Sequence, residues 1–579
     1  MDMDGFMCKR NLYHYFDKYP EKAVAGFDAW EGWPAIRAQI VSVCGGKGVI
    51  VAECYPGVNQ QEVADELAKL GGAMFHAETC AFSSEEYNRF IQPFLTDDRV
   101  FGVMNTLRLE DVFLTEKIEA LRRRVEAAEG LAIVYGVGAS LVMNKGLLLY
   151  FDMPRWEIQC RFRRGMSNWN ADNDGEEQLR KFKRGFFVEW RMADRLKRKL
   201  LPSLDYALDT VLPGQPKMVS GEGLRTGLMQ LTREPFRLVP YYAPEVWGGQ
   251  WMKAVCDLPK DAPNYAWSFD GVPEENSVFF RFGPVRMEFP ALNAVFYRPE
   301  ELLGSRVHAR FGDEFPIRFD FLDTMGGQNL SLQVHPLTEY IQHTFGMHYT
   351  QDESYYILDC AEDAGVYLGL KEGICPEEML TSLHTAQQGT IAFDADKYVN
   401  RFPVKKHDHL LIPAGTIHCS GKDTMVLEIS ATPYIFTFKL WDWGRTGLDG
   451  KPRPVHLSHG EQVIQWDRTT AWVEQNLVNR FTGLKEEPTY KVVRTGLHER
   501  EFIETHRYEL SGPCTVSGTG SVCMGNLVEG SGMVITSPEG TFEPFEVHYA
   551  ETFIVPAGAG SFALRPLNDS CMVLCAFVK

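Results

Sequence analysis

The hydrophobic pattern changes character part-way along the chain. In roughly the first third, continuous apolar runs alternate with amphipathic, charged stretches. Gly48-Val-Ile-Val-Ala52, Gly130-Leu-Ala-Ile-Val-Tyr135 and Gly146-Leu-Leu-Leu-Tyr-Phe151 are apolar on both faces, the pattern of strands buried in a parallel sheet. Glu62 to Leu70 sets Val63, Leu67 and Leu70 on one side of a helix, and Glu116 to Ala128 is a second charged helical stretch. Strands alternating with helices predict an α/β domain with a parallel sheet over residues 1–220. Leu200 to Gly223, containing Pro202, Pro213 and Pro216, reads as the linker that closes it. From residue 224 onward, short alternating runs broken by Gly and Pro predict antiparallel sandwich or barrel structure.

A weak internal repeat divides this second part. Asp408-His-Leu-Leu-Ile-Pro413-Ala-Gly-Thr-Ile-His418 can be laid on Glu551-Thr-Phe-Ile-Val-Pro556-Ala-Gly-Ala-Gly-Ser561, with Asp408 and Glu551 equally far before the prolines. The repeat predicts two mainly-β domains, residues 224–445 and 446–579. Thr381 to Gln388 reads as a short helix within the first of them.

Composition narrows the function classes. A chain of 579 residues exceeds what one core serves and divides into two to four domains. With 45% hydrophobic and 23% charged residues it is an ordinary soluble globular chain. Fifty-nine basic against 77 acidic residues give a net charge of −18, a field that repels nucleic acid and anionic membranes. No apolar run is long enough to span a bilayer, and the acidic start Met1-Asp-Met-Asp-Gly5 has no signal-peptide core. Thirteen cysteines without a CxxC pair suit a reduced, cytoplasmic compartment.

Candidate chemistry concentrates between residues 330 and 445. In Leu330-Ser-Leu-Gln333-Val-His335-Pro336, Gln333 and His335 leave the same face of an extended strand. Glu353 opens a second strand-like run, Glu353-Ser-Tyr-Tyr-Ile, and His418 follows the Pro413-Ala-Gly415 turn. Two imidazoles, one carboxylate and one amide suit a borderline divalent cation such as zinc, with a position left for water or substrate. In the overlay of the repeat, His418 falls on Ser561, and no Gln-x-His occurs in the last hundred or so residues. The second β domain is therefore expected to be metal-free, with His548 an ordinary strand residue.

Phe315-Pro-Ile-Arg-Phe-Asp-Phe-Leu-Asp323, the Gln333/His335 segment, Glu353-Ser-Tyr-Tyr-Ile, Ile412-Pro-Ala-Gly-Thr-Ile-His418 and Leu427-Glu428 occur in one order, preceded by Val239-Pro-Tyr-Tyr-Ala-Pro-Glu-Val-Trp247-Gly-Gly249. That order resembles the class I mannose-6-phosphate isomerases, zinc-dependent enzymes with a cupin fold. The resemblance implies a double cupin following the α/β domain, and one zinc ion on Gln333, His335, Glu353 and His418. It further implies aldose–ketose isomerisation of mannose 6-phosphate through an enediol(ate), with a small phosphosugar as partner and neither nucleic acid nor membrane. Ser331 and Glu428 match pocket residues of that family. Each also has a bland alternative, Ser331 as a strand cap and Glu428 as the partner of a surface lysine. Gln351 stands where the family carries lysine and Lys439 where it carries arginine, with Arg445 and Arg453 as nearby cations. Lys439, Arg445 and Glu428 are the implied catalytic groups, Ser331 and Gln351 the implied substrate contacts. A cupin oxygenase and a non-catalytic sugar-binding cupin are the competing readings.

The loop after Val51 falls where a P-loop kinase holds its phosphates, and with Lys183-Arg-Gly-Phe-Phe-Val-Glu-Trp-Arg-Met-Ala-Asp194 it resembles the uridine-kinase group. In Glu53-Cys-Tyr-Pro-Gly57-Val58-Asn59, however, Val58 replaces the lysine and Asn59 the Ser or Thr, so a degenerate, non-transferring kinase-like domain is expected. The basic clusters Arg161-Phe-Arg-Arg164 and Lys181 to Lys199 are read as a solvated helix face in preference to a phosphate lid.

Overall fold

The computed structural model describes residues 15–389, 391–431, 435–448, 450, 453–496 and 498–579; the acidic start of the chain lies outside them. The chain divides into an α/β unit, Glu21–Gln230 with Pro273–Arg298, and a β-rich unit, Met1–Pro20, Leu231–Val272 and Pro299–Lys579. Among the described residues, no helix is long and apolar enough to cross a membrane.

The α/β unit is built on a seven-stranded sheet in the order Ala29–Glu31, Lys217–Ser220, Tyr206–Asp209, Leu147–Asp152, Gly48–Cys54, Leu131–Gly136, Ala73–His76. The last five run parallel, and the three apolar runs of the sequence are its centre. Helices Gln60–Ala68 and Thr115–Glu126 turn Val63 and Leu67, and Leu121 and Val125, toward the interior. The linker expected over Leu200–Gly223 is instead sheet: Tyr206–Asp209 and Lys217–Ser220 form an antiparallel hairpin whose loop holds Pro213 and Pro216. The prolines sit outside the ladder, where their missing N–H costs nothing.

The basic run is not a solvated face either. Lys181, Lys183, Arg184 and Lys197 are buried. Lys197 Nζ lies 2.7 Å from Asp152, Arg184 Nε lies 2.6 Å from Glu189, and Lys181 Nζ donates to the Met166 carbonyl at 3.1 Å. A π-helical turn at Gly185–Glu189 separates the helices Gln178–Arg184 and Trp190–Leu200 that carry them. The domain boundary expected near residue 224 is crossed twice, because Pro273–Arg298 returns to this unit. Its strand Ser277–Phe282 pairs in parallel with Glu21–Ala23 and buries Phe280 against Gly227.

The β-rich unit contains two sandwiches. In the first, a six-stranded sheet (His409–Ile412, Glu353–Cys360, Thr424–Ala431, Ile317–Asp323, Trp267–Gly271, Tyr241–Ala243) packs on a five-stranded one (Val399–Pro403, Gly365–Leu370, His418–Ser420, Leu332–Val334, Phe438–Trp441). Ile317–Asp323 and Thr424–Ala431 are buried along their whole length. On the outer face, a methyl group at Gly271 would lie 2.8 Å from Met524 Sδ and 3.0 Å from Thr552 Cγ2, so the second sandwich presses directly on this sheet.

The second sandwich joins a six-stranded sheet from Thr482–Glu487 to Cys571–Val578 with a four-stranded sheet, around an apolar core including Leu527, Met533, Ile535, Phe553, Leu564 and Val573. Its first strand begins at Thr482, later than the expected start at residue 446. The intervening stretch belongs to the first sandwich, with Thr469 bridged to Leu370 and Val478 to Leu410. Pro376–Gln387 is a full 12-residue helix, longer than the stretch read from Thr381.

Candidate metal centre and the polar pocket around it

Four ligand-type side chains, Gln333, His335, Glu353 and His418, meet in the interior of the first sandwich. Gln333 lies in Leu332–Val334 and pairs in register with His418, the first residue of the neighbouring strand. Gly415, in the left-handed region at φ +87°, makes the tight turn that delivers His418 to that strand. Glu353 opens its strand on the opposing sheet. All four residues are buried. His335 Nε2 lies 3.0 Å from Glu353 Oε2, and His418 Nε2 2.7 Å from Glu353 Oε1.

The tautomers follow from the far side of each ring. His335 Nδ1 meets the Phe436 carbonyl at 3.2 Å and His418 Nδ1 the Thr416 carbonyl at 2.8 Å. Carbonyls only accept, so each Nδ1 carries a proton and each Nε2 is the atom left facing Glu353. With a cation at that point, both Nε2 atoms and the carboxylate can turn lone pairs to it. His335 Nε2 and Glu353 Oε1 are also buried without a hydrogen-bond partner. Gln333 places its amide 3.2 Å from His418 Nε2, within reach of the same point. Together with His335, Glu353 and His418, whose donor atoms lie within 4.8 Å of one another, it makes a set that fits a borderline divalent cation.

Around this group runs a second polar layer. Gln351 donates to Glu353 Oε2 at 2.9 Å and to Glu428 Oε1 at 3.4 Å. Glu428 is paired with buried Arg318 at 3.3 Å, and Arg318 with Asp320 at 2.7 Å, so neither the surface lysine nor an exposed role applies to Glu428. Burial would raise the Glu353 carboxyl, but His335 and His418 overcome it and hold that group well below the usual carboxylate range. Glu428 moves the opposite way, raised well above it by burial and by Asp320 and Glu353 against Arg318. Burial pushes Asp320 up to about 7.

Ser331 does not cap a strand; its hydroxyl donates to Asp442 Oδ1 at 3.0 Å. Asp442 also pairs with Arg445 and Arg453, and Arg453 reaches Glu245. Arg445 further donates to the Asn329 carbonyl at 2.7 Å. Lys439 stands opposite Gln333 in the ladder, on the same face of the sheet. Burial, with Arg453 nearby, lowers its amine to about 8. The proposed residues thus fall into two groups, one around Glu353 and one around Asp442.

Arg318, Asp320 and Asp442 were not singled out from the sequence. Arg318 and Asp320 had a legible signal: two charges at alternate positions of an otherwise apolar strand share one face, and both face inward. Asp442 had none, because its role depends on Ser331 and Arg453, which the fold brings to it.

Residues 32–233 match a family model described as a domain of unknown function (DUF8485). The chain is 26% identical over 352 residues to mannose-6-phosphate isomerase ManA of Bacillus subtilis (strain 168), covering 59% of this chain and 99% of the relative. It is 25% identical over 313 residues to mannose-6-phosphate isomerase of Streptococcus mutans, covering 53% of this chain and 88% of that protein. Among solved structures, the mannose 6-phosphate isomerase from Bacillus subtilis matches with a TM-score of 0.48 and 18% identity, over 59% of this chain and 99% of that one. The curated relatives are isomerases, and by that relation the chain is an isomerase-like enzyme.

Proposed function

We propose that the chain is a zinc-dependent aldose–ketose isomerase that interconverts mannose 6-phosphate and fructose 6-phosphate, with Gln333, His335, Glu353 and His418 holding the ion. The observation that carries the reading is the pair of imidazole Nε2 atoms turned onto one buried carboxylate, each ring fixed from behind by a backbone carbonyl. When bound, zinc supplies a Lewis acid for the sugar oxygens on which charge develops.

The chain's own residues supply the rest. Isomerisation moves a proton between C1 and C2, and Glu428, the buried carboxyl held beside Glu353 by Gln351, is the group assigned to exchange it. Gln351 fixes the orientation of Glu353 and Glu428 by donating to both. Lys439, with Arg445, forms the cationic side of the pocket for an anionic sugar, and Ser331 lines the same side. For the first part of the chain, the parallel sheet and the strand–loop–helix of residues 48–68 support a kinase-like ancestry without phosphoryl transfer.

The test measures bound zinc and conversion of mannose 6-phosphate in a coupled assay, for the wild type and for His335→Ala, His418→Ala and His548→Ala. The first two variants are expected to lose metal and turnover together, and the third to keep both. Full zinc occupancy in His418→Ala overturns the assignment, and oxygen-dependent turnover with a redox metal would place the chain among cupin oxygenases instead.

A further inference from the structure

Arg468 lies in the stretch that follows the last strand of the first sandwich and packs on it, far in sequence from the groups around Glu353. It is 2% exposed. Its NH1 donates to the Pro413 carbonyl at 2.7 Å and the Ala414 carbonyl at 2.8 Å, and also contacts Thr416 Oγ1. Three oxygens of one four-residue turn therefore converge on a single guanidinium nitrogen. Trp472 packs against the guanidinium plane, with Arg468 Cζ 5.5 Å from its ring centre.

That turn touches every ligand-bearing strand. Its Thr416 carbonyl is the acceptor that fixes the His418 tautomer. Its Gly415 N–H donates to the His335 carbonyl at 2.9 Å. Its Ala414 N–H donates at 2.8 Å to Asp352, the residue immediately before Glu353. A shift of the turn thus moves His418 directly, and His335 and Glu353 through one hydrogen bond each.

From this geometry we infer that Arg468 is a positioning residue for the metal centre, holding the 413–416 turn so that His418 Nε2 and Glu353 face one point. The inference rests on the metal reading proposed above and adds a residue to it. Groups that orient a metal ligand from behind typically change metal affinity by about 10- to 100-fold when removed. All three contacts come from one nitrogen, so the ammonium of lysine can replace them in part, without the planar group that packs on Trp472.

The test uses the full chain carrying Arg468→Met, Arg468→Lys and Thr416→Val. Zinc affinity is measured by competition with a chromophoric chelator, beside the zinc-free unfolding midpoint and the kinetics at limiting and saturating zinc. Arg468→Met is expected to weaken zinc binding by about 10- to 100-fold, Arg468→Lys and Thr416→Val by less. The turnover lost at limiting zinc should return at saturating zinc, with KM for the sugar unchanged. A lowered zinc-free midpoint with unaltered zinc affinity in all three variants would show a structural role alone and overturn the inference. A wild type that binds no zinc would instead remove the metal reading itself. Thr416→Val keeps the test open should Arg468→Met fail to fold, because it removes one of the turn's contacts to Arg468 and leaves the arginine in place.

Discussion

His409 makes the β-rich unit sensitive to mild acid. It opens the strand His409–Ile412, is fully buried, and packs edge-on against Tyr356 at 5.5 Å between ring centres. Burial, reinforced by Arg507, pushes its imidazole down to about 3. In the unfolded chain the same ring titrates near 6.5. Below that value the unfolded state takes up a proton that the folded state refuses, so the stabilisation is complete above about pH 6.5 and is lost as pH falls toward about 3. Each pH unit in this window costs about 1.4 kcal/mol, which amounts to about 2 kcal/mol between pH 7.5 and pH 5. His409→Phe keeps the flat ring against Tyr356 and removes the titrating nitrogens. Urea unfolding of both proteins, followed by tryptophan fluorescence from pH 7.5 to 5, reads the difference. The wild type should lose about 2 kcal/mol more than the variant across that range. Parallel pH curves would refute the reasoning, because they would mean that His409 is equally protonated in both states.

Two further outcomes follow from the same structure. Gly415→Ala should lower the unfolding free energy by about 1–3 kcal/mol and weaken zinc binding, because its new methyl would sit 2.6 Å from Gln465 Cγ and 2.9 Å from the Val463 carbonyl in a backbone at φ +87°; denaturant titration and zinc competition check the two parts. The full chain should show no magnesium-dependent ATP turnover above background in a phosphate-release assay, since Val58 and Asn59 stand where a phosphate cradle needs its lysine and its hydroxyl.

What the sequence made legible follows the range of the interactions involved. The parallel strands were readable because residues such as Val49 to Ala52 are apolar on both faces, a local property that the sheet then satisfies. Gln333, His335, Glu353 and His418 were readable because their motifs occur in a fixed order, and the structure brings these four residues together. The misreadings arose where long-range pairing decided the outcome. Pro213 and Pro216 looked like a linker because nothing local shows that the flanking residues pair with each other. Lys181 to Lys199 looked solvated because lysine and arginine usually are, and the partners that bury them, Asp152 and Glu189 among them, could not be assigned by spacing. Pro273–Arg298 reads as β structure and is so over Ser277–Phe282 and Val285–Pro290, before the helix Leu292–Tyr297, but its place is fixed by a parallel pairing with Glu21–Ala23, some 250 residues earlier.

The same buried charges argue, beyond the two missing side chains, for the expectation that the strand–loop–helix after Val51 holds no phosphate. In a doubly wound sheet, ligands bind beyond the carboxyl ends of the parallel strands. Here that region is filled by the chain itself. Tyr55 is 2% exposed and donates to Asp194 at 2.8 Å, Asp194 pairs with Arg155 at 2.5 Å, and Lys197 pairs with Asp152 while lying 4.1 Å from the centre of the Tyr55 ring. The loop carbonyl of Gly57 is taken by Arg161, which also donates to the carbonyls of Thr210 and Val211. Asn59 spends its side chain as the cap of the following helix, accepting from the Glu62 N–H. A phosphate would have to displace these buried ion pairs, and breaking one such pair costs about 3–5 kcal/mol. Lysine at position 58 and serine at position 59 are therefore expected to leave ATP unbound, because the space beyond the strand ends is already occupied by the chain's own side chains.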